Sequence, residues 1–481
     1  MWGMKAFPGC FLAFILLLAG CASNPTSAPL PPGETAAPTA RATATIALPP
    51  LTTATGVVKP TPESMPIQEI SPDEMRGLQI DFWYPASSEV QETYSAQIAE
   101  FNQTNIWGIT VEGRSFLTTV QLEEEVTSQP ENLPNVVSAP QEMLLTWQAD
   151  SQIVLPLDTL ISDPEWGLTS QETADIFNVF WNEESNGQRW GIPAERNAQF
   201  LFYNVSWAQA LGFQHPPATA EEFKAQACAA MKANVADDDL ENNGTGGWIL
   251  STDPLVLESW RMAFGGEALP VQDGKAYTFD TQASVDAYTF LKELVNENCA
   301  WTARNPAPYP YFAQRQALFY SGSLLDLSFQ ARAMDFARSN DRWTVIEYPS
   351  ASGKPVVMTS GNTYAVLRSS AADELASWLF LRYLMLPRVQ SQLAAANDLI
   401  PIRQSAVEGM AGYRRDHPQW AQAVDWLDDY RPAPRLASWR IVRRILQDAA
   451  WQIFSPIVKV EGIPDVLAEL DGMVKEIATR P

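Results

Sequence analysis

The sequence predicts an α/β protein, and three observations point to that class. Of its 481 residues, 46% are hydrophobic and only 18% are charged, a composition that can bury large cores. Stretches of alternating apolar and polar residues are followed by stretches whose apolar residues recur every three or four positions, as in a strand followed by a helix. The same unit returns late in the chain. Such alternation is typical of a parallel sheet covered by helices, and the length predicts two or three folded units.

The elements follow from these patterns in chain order. Val90, Tyr94, Ile98 and Phe101, for example, are spaced as on one face of a helix. Pro387 ends or breaks the last helix, because proline removes a backbone donor. The predicted elements are strand 78–84, helix 90–101, strand 108–114, helix 118–125, strand 135–138, strand 363–367 and helix 370–386.

Residues 1–20 have the three parts of an export signal, namely an early lysine, an apolar run ending at Leu18 and small residues before Cys21. The apolar run of about 8 residues is far shorter than the roughly 20 that a membrane-spanning helix needs. The order Leu-Ala-Gly-Cys at 18–21 resembles the lipobox of bacterial lipoproteins, in which the cysteine is acylated after cleavage. Lipidation of Cys21 would hold the exported protein at the outer face of the cell membrane. The alternative is an ordinary secretory signal with an incidental cysteine.

Residues 21–76 are predicted to form a disordered linker that starts at the lipidated cysteine. They are rich in proline, threonine and alanine and contain no phenylalanine, tryptophan or tyrosine. Such a composition buries too little apolar surface to offset the entropy of ordering, and frequent proline favours extended segments. We therefore expect a semi-stiff spacer between the membrane and the folded part.

Cys228 and Cys299 are predicted to form a disulfide. They are the cysteines that remain once Cys10 leaves with the signal and Cys21 is acylated, and disulfides persist in exported proteins. Closing this loop would stabilise the fold by about 4 kcal/mol in the chain-entropy account. Two buried free thiols are the alternative, because the distance between the two Cα atoms cannot be read from sequence.

The charge and the motifs exclude several classes of function. The 56 acidic residues outnumber the 32 basic ones, and a net charge of −24 repels the phosphates of nucleic acids. Only two histidines occur, and no zinc or nucleotide-phosphate motif is present, so we expect no metal and no cofactor. Residues 239–244 match half of a calcium loop, but Leu250 stands where a glutamate is required, which favours a solvated acidic turn. No nucleophile elbow appears, and we predict no catalytic residue.

Nine short segments occur in a characteristic order along the chain. They are residues 81–84, 155–158, 190–193, 201–204, 216–223, 265–266, 316–323, 360–362 and 399–403. Each is weak alone, but together they resemble the extracellular solute-binding proteins of ABC importers, specifically the large sugar-binding group. The resemblance covers roughly residues 79–478.

The resemblance implies two α/β lobes joined by crossing strands, with a solute held in the cleft between them. On this pattern lobe 1 comprises residues 77–197 and 363–405. Lobe 2 comprises residues 198–362 together with a C-terminal helical extension, residues 406–478. It also implies a monomer that hands its solute to ABC permease subunits without altering it.

The resemblance also suggests which residues contact the solute, since a polyhydroxylated molecule needs flat apolar faces and planar polar groups in a preformed cleft. The tryptophans among these candidates could equally be core residues, Arg196 and Asp253 could form a structural ion pair, and Ser323 could be only a turn residue. The ligand-binding candidates are Trp83, Tyr84, Gln141, Arg196, Asn197, Asp253, Trp260, Ser323, Asn362 and Trp439.

The sequence therefore predicts a membrane-tethered solute-binding protein that captures a sugar or oligosaccharide. No cluster of arginine or lysine suited to a phosphate is apparent in the sequence, so a neutral solute is expected. Two alternatives remain, a surface carbohydrate-active enzyme and a solute receptor for a sensor protein.

Overall fold

A computed structural model describes residues 70–182, 187–269, 277–351 and 356–478. These residues belong to one compact unit, Val57–Pro481. The predicted export signal, Cys21 and most of the predicted linker lie outside the described residues. Within the described ranges, no helix has the length and apolar character needed to cross a membrane.

The first part of the chain forms most of lobe 1. Its first three strands lie at or next to the predicted positions, and each of these three is followed by a helix. The elements are α1 (Pro72–Met75), β1 (Gln79–Pro85), α2 (Ser88–Thr104), β2 (Thr110–Phe116), α3 (Thr119–Ser128), β3 (Val136–Pro140), α4 (Gln141–Ser151), α5 (Asp158–Ser162), α6 (Ser170–Ala174), α7 (Asn178–Trp181) and β4 (Ile192–Pro193).

The middle of the chain forms lobe 2. Thr219 begins its first long helix with a capping box, in which Thr219 Oγ1 accepts from the Glu222 backbone and Glu222 accepts from the Thr219 backbone, each at 3.2 Å. The elements are β5 (Asn197–Asn204), α8 (Val205–Ala210), α9 (Ala220–Ala236), β6 (Gly246–Ile249), α10 (Pro254–Ala263), α11 (Gln282–Asn296), β7 (Ala300–Trp301), α12 (Tyr309–Ala313), β8 (Ala317–Ser323), α13 (Leu327–Phe336), β9 (Trp343–Ile346) and β10 (Val357–Ser360).

The last part of the chain returns to lobe 1 and then joins lobe 2. The predicted break at Pro387 is present, since one helix ends before it and the next begins at it. The elements are β11 (Asn362–Val366), α14 (Ala371–Leu384), α15 (Pro387–Ala396), α16 (Gln404–Gly409), α17 (Ala411–Asp416), α18 (Pro418–Asp425), β12 (Tyr430–Pro432), α19 (Trp439–Phe454) and α20 (Ile463–Ala478).

Two sheets organise the fold. The lobe 1 sheet has the order β2-β1-β3-β11-β4, with β1 parallel to β2 and β3. The lobe 2 sheet has the order β12-β10-β5-β8-β6-β7, with β9 also paired to β5. The predicted α/β class is confirmed, but the sheets are mixed rather than purely parallel. Strands that return through the hinge run against their neighbours, as β11 does beside β3 and β10 beside β5.

Three chain segments meet at the hinge between the lobes. The first joins β4 to β5, the second joins β10 to β11 through Gly361, and the third contains Ile400. The backbone of Arg196 exchanges hydrogen bonds of 2.8 and 2.9 Å with that of Ile400. A Cβ atom at Gly361 would lie 2.8 Å from both the Glu195 carbonyl and Arg196 Nη1, so only glycine allows this close approach.

The start of the folded body corrects the predicted linker. Ile70 and Met75 are buried in the same core as the lobe 1 sheet, and Ser71 and Glu74 form a capping box at α1. Residues 70–76 are therefore folded, although they were expected to belong to the linker. The prediction rested on the average composition of residues 21–76. That average did not reveal the two buried apolar residues or the short helix that ends at Met75.

The predicted bond between Cys228 and Cys299 is confirmed, with the two Cα atoms 4.5 Å apart. It joins α9 to the residue before β7. The acidic turn nearby caps itself, since Asp239 Oδ1 accepts from the Glu241 backbone at 3.0 Å and Asp237 Oδ1 accepts from the Asp239 backbone at 2.9 Å. These bonds agree with the solvated-turn interpretation of the half calcium loop.

Candidate ligand-binding cleft

A cleft of about 620 Å³ lies at the hinge and is lined by residues of both lobes. Lobe 1 contributes the ends of β1 and β3, and lobe 2 contributes the start of α10. The crossing segments form its floor, and the first turns of α19 form one wall. A second depression, of about 550 Å³, is lined only by α17, α18 and Trp426, so it is not a site between lobes.

Six of the ten predicted residues line this cleft. Five of them stand at or next to the end of a helix or strand at the hinge, and Arg196 lies in the connection between β4 and β5. Gln141 begins α4 directly after β3, Asn362 begins β11, and Asp253 precedes α10. The six are Gln141, Arg196, Asn197, Asp253, Asn362 and Trp439.

The structure does not bring Trp83, Tyr84, Trp260 or Ser323 to the cleft lining. Strand β1 continues past Tyr84 to Pro85, so the two aromatic side chains project into the cores on opposite faces of the sheet. Trp260 is fully buried within lobe 2. The Ser323 backbone and hydroxyl both donate to Asp326 Oδ2, at 2.7 and 3.0 Å, which makes Ser323 a capping residue.

A buried carboxyl group stands at the centre of the hinge. Glu195 accepts hydrogen bonds from the Tyr364 hydroxyl at 3.3 and 3.4 Å and from Gln390 Nε2 at 3.3 Å. Tyr94 lies 2.7 Å from Tyr364 through their hydroxyl groups. Burial raises the pKa of Glu195 to about 7, which outweighs the hydrogen bonds that favour its charged form. Sequence reasoning missed Glu195, whose only signal was its place beside the predicted hinge residues.

Arg196 and Asn197 tie the crossing segments together. Arg196 Nη1 donates to the Asn362 carbonyl at 2.5 Å. Asn197 Oδ1 accepts from the Leu324 backbone at 3.0 Å, and its carbonyl accepts from Thr359 at 2.8 Å. Both residues therefore hold the floor of the cleft in place while remaining part of its lining.

Asp253 presents a carboxylate on the lobe 2 side. Its Oδ1 caps α10 by accepting from the backbone of Leu255 at 2.8 Å and of Val256 at 3.4 Å. Its Oδ2 makes no hydrogen bond with the described residues. Burial raises the pKa of this carboxyl above its ordinary value against the lowering effect of the cap.

Helix α19 adds a positively charged wall that the sequence did not reveal as part of the site. Trp439, Arg443 and Gln447 line the cleft at intervals of four residues, and Arg444 lies beside them. Arg443 Nη1 is 3.6 Å from Glu142 Oε1 across the cleft. The helical spacing within residues 439–447 was visible in the sequence, but its position opposite lobe 1 was not.

The comparisons with known proteins decide the family. The family described as bacterial extracellular solute-binding protein matches residues 96–427, which is more than half of the chain. This chain is an extracellular solute-binding protein. The predicted family is thereby confirmed. Because the family is extracellular, the solute-binding protein is an exported protein.

Several solved structures have the same fold as this chain. The sugar-binding protein MalE of Xanthomonas citri has a TM-score of 0.70 at 18% identity, with 83% of this chain and 97% of that chain covered. The cyclic α-maltosyl-1,6-maltose binding protein of Arthrobacter globiformis has a TM-score of 0.69 at 16% identity, over 83% of this chain and 99% of that chain. UgpB of Mycobacterium tuberculosis, solved with glycerophosphocholine, has a TM-score of 0.67 at 18% identity, over 83% and 98%. These likenesses confirm the two-lobed fold of this solute-binding protein.

A curated relative is more similar in sequence. A protein of Brucella abortus (strain 2308) is 22% identical over 299 residues, which are 60% of this chain and 69% of the relative.

Proposed function

We propose that this chain captures a polyhydroxylated solute, a sugar or a sugar derivative, in the cleft and delivers it to the permease of an ABC importer. One observation carries the proposal: the cleft is lined jointly by both lobes and by the three segments that cross between them. A molecule bound there contacts both lobes at once. The names of the neighbouring structures, which include sugar-binding proteins, support the solute class.

Binding drives closure of the lobes. The open and closed forms are in equilibrium, and a solute favours the closed form only by binding it more tightly. Binding with micromolar affinity is worth about 8 kcal/mol in total, and the part of it that is gained only in the closed form sets the shift in population. The solute is released unaltered, since this cycle needs no chemical step.

Lipidated Cys21 holds the protein at the outer face of the membrane in this proposal. The support is the lipobox order at residues 18–21 and the family's extracellular location. Mass spectrometry of the membrane-extracted protein tests it, because acylation of Cys21 adds the mass of its acyl chains. An unmodified Cys21 contradicts the tether but leaves solute capture untouched.

A thermal-shift screen over sugars, polyols and their derivatives tests solute capture, because a ligand of the native state raises the melting temperature. For a solute that binds, Gln141→Ala should weaken affinity about tenfold through loss of a hydrogen bond. Gln171→Ala, in the exposed α6 outside the cleft lining, is the matched control and should change nothing. Chromatography of the released ligand should show it intact, and conversion to a product would overturn the proposal in favour of an enzyme.

A further inference from the structure

The cleft has the opposite charge balance from the rest of the chain. The protein has a net charge of −24, so acidic residues outnumber basic ones over the chain as a whole. The cleft lining contains four arginines and three carboxyl groups instead. The arginines are Arg196, Arg435, Arg443 and Arg444, and the carboxyl groups belong to Glu142, Glu195 and Asp253.

The three carboxyl groups offset only part of this positive charge. Glu195 is buried and accepts from Tyr364 and Gln390, and the charge of Arg196 also acts on it to lower its pKa. Asp253 uses one oxygen to cap α10. Glu142 lies 3.6 Å from Arg443, which is near the upper limit for an ion pair. Arg444 has no hydrogen bond and no ion pair within 4 Å among the described residues, although its charge lowers the pKa of Glu123.

Arg440 lies in the first turn of α19, where cations are unfavourable, and Arg443 and Arg444 follow in the second turn. The N-terminus of a helix carries a partial positive charge that acts within the first turn, so arginine there raises the free energy unless an anion is near. The first turn of α19 has no acidic residue, and Ser438 makes no side-chain capping bond there. Arg440 pairs with Glu123 of α3, and Arg443 and Arg444 line the cleft.

The lining offers little flat apolar surface to a neutral sugar. Its aromatic residues, among those described, are Tyr94 and Trp439, and their relative exposures are 4% and 2%. The Trp439 ring stacks on Tyr277 with centroids 6.0 Å apart, so it faces the lobe 2 core. Stacking on exposed rings therefore contributes less here than hydrogen bonding and charge.

We propose that the solute carries an oxyanion, a phosphate or a carboxylate, which binds between Arg443 and Arg444 while its hydroxyl groups contact the hinge. The planar guanidinium fork matches both oxyanions with two parallel hydrogen bonds. This inference rests on the proposed function and narrows its solute class to sugar phosphates, polyol phosphates or sugar acids. The sequence predicted a neutral solute, and this inference predicts a charged one. The two differ because the arginines come close to the hinge only in the folded protein.

Matched ligand pairs test the proposal by isothermal calorimetry on the full-length chain. The pairs are glycerol with glycerol 3-phosphate, glucose with glucose 6-phosphate, and glucose with glucuronate. We expect the charged member of at least one pair to bind tenfold tighter or more, and the identity of that pair separates phosphate from carboxylate. Arg444→Gln should weaken that ligand roughly tenfold to a hundredfold, since hydrogen bonds to charged groups are the strong ones.

Two controls make the result decisive. Arg415→Gln removes an exposed arginine outside the cleft lining and should leave the preference intact. If neutral members bind as tightly as charged ones, or if the preference survives in the double variant Arg443→Gln with Arg444→Gln, the oxyanion proposal is overturned while solute capture stands. If no member of any pair binds and no sugar or polyol raises the melting temperature, both proposals fail together.

Discussion

The two lobes support the cleft in different ways. Behind the lobe 1 side lies a buried polar network, in which Tyr94, Tyr364 and Gln390 surround the Glu195 carboxyl. Behind the lobe 2 side lies an aromatic cluster centred on Trp260. Its ring centroid is 5.1 Å from Phe223, 5.9 Å from Trp248, 5.5 Å from Phe290 and 5.3 Å from Tyr348.

This difference shows how the chain uses its many aromatic residues. Aromatic residues make up 11% of the sequence, and the described ones contribute mainly to the cores rather than to the cleft lining. An aromatic cluster is stabilised by buried area and ring geometry, which do not change with pH. A buried carboxyl group depends on its proton. The lobe 2 side should therefore respond to loss of packing, and the lobe 1 side to pH.

Removing the centre of the aromatic cluster should have the largest effect. Trp260→Ala deletes a fully buried side chain and leaves a cavity that its four aromatic neighbours cannot fill. We expect a loss of about 3 to 5 kcal/mol in the free energy of unfolding, measured by urea denaturation. Trp451→Ala is the matched control, because Trp451 is half exposed on α19, and it should cost far less. Equal losses in the two variants would contradict the assignment of Trp260 to the core.

Loss of the disulfide tests the same lobe in a second way. The double variant Cys228→Ser with Cys299→Ser frees a loop with a sequence separation of 71 residues. We expect lobe 2 to lose about 2 to 4 kcal/mol, because the unfolded chain regains entropy. Adding a reductant should destabilise the native protein and leave the double variant unchanged. A reductant that affects neither protein would show that the bond contributes nothing to stability.

The lobe 1 network should make stability depend on pH. The pKa of Glu195 is raised by burial from 4.5 to about 7 in the folded protein. Its protonated form is favoured by folding, so the stabilisation is complete below about pH 4.5 and is lost as pH rises through about 7. The loss reaches up to about 3 kcal/mol for a shift of this size. Glu195→Gln should remove this dependence, as seen in urea denaturation at pH 5 and pH 8.

A lobe 2 carboxyl group provides the comparison for that measurement. Burial and, to a smaller extent, the nearby Asp429 raise the pKa of Glu347 to about 7. Glu347 is only half-buried, so Glu347→Gln should flatten the profile less than Glu195→Gln does. A larger effect at Glu347 would place the pH-sensitive group in lobe 2 and break the contrast between the lobes.

The fold was largely predictable because its signals are local. Strand β1 and helix α2 follow from alternation and from spacing, and Pro387 separates α14 from α15 as expected. The pairing of Cys228 with Cys299 was predicted because disulfides persist in exported proteins and these two cysteines remained after Cys10 and Cys21 were assigned. The antiparallel returns and the folded residues 70–76 were missed, because each depends on where distant segments pack rather than on its own pattern.

The site was predictable only where it coincides with element ends. Gln141, Asp253 and Asn362 stand at such ends and reach the cleft. Trp83 and Trp260 were chosen by their position in the family pattern, and position along the chain does not separate an aromatic residue that contacts the ligand from one in the core. The positively charged wall formed by α19 could not be predicted from the sequence. Arg443 lies about 300 residues after Glu142 in the chain, and only packing brings the two together.

The smallest predicted effect concerns the contact between the lobes themselves. Arg440 of α19, which packs on lobe 2, forms an ion pair with Glu123 of α3 in lobe 1. A pair at this level of exposure is worth about 1 kcal/mol or less. Arg440→Gln should therefore leave the free energy of unfolding nearly unchanged, yet it should shift the lobes toward the open form, because this pair exists only when they are close.

Small-angle scattering and calorimetry together measure that shift. The radius of gyration without solute should increase in Arg440→Gln, and affinity should fall by less than about fivefold, the factor that 1 kcal/mol allows. Arg388→Gln is the matched control, since Arg388 pairs with Glu100 inside lobe 1 at 2.5 Å and does not bridge the lobes. If both variants open the lobes equally, the effect is one of net charge. If only Arg440→Gln does, the wall that α19 presents to the solute also sets the resting angle of the hinge.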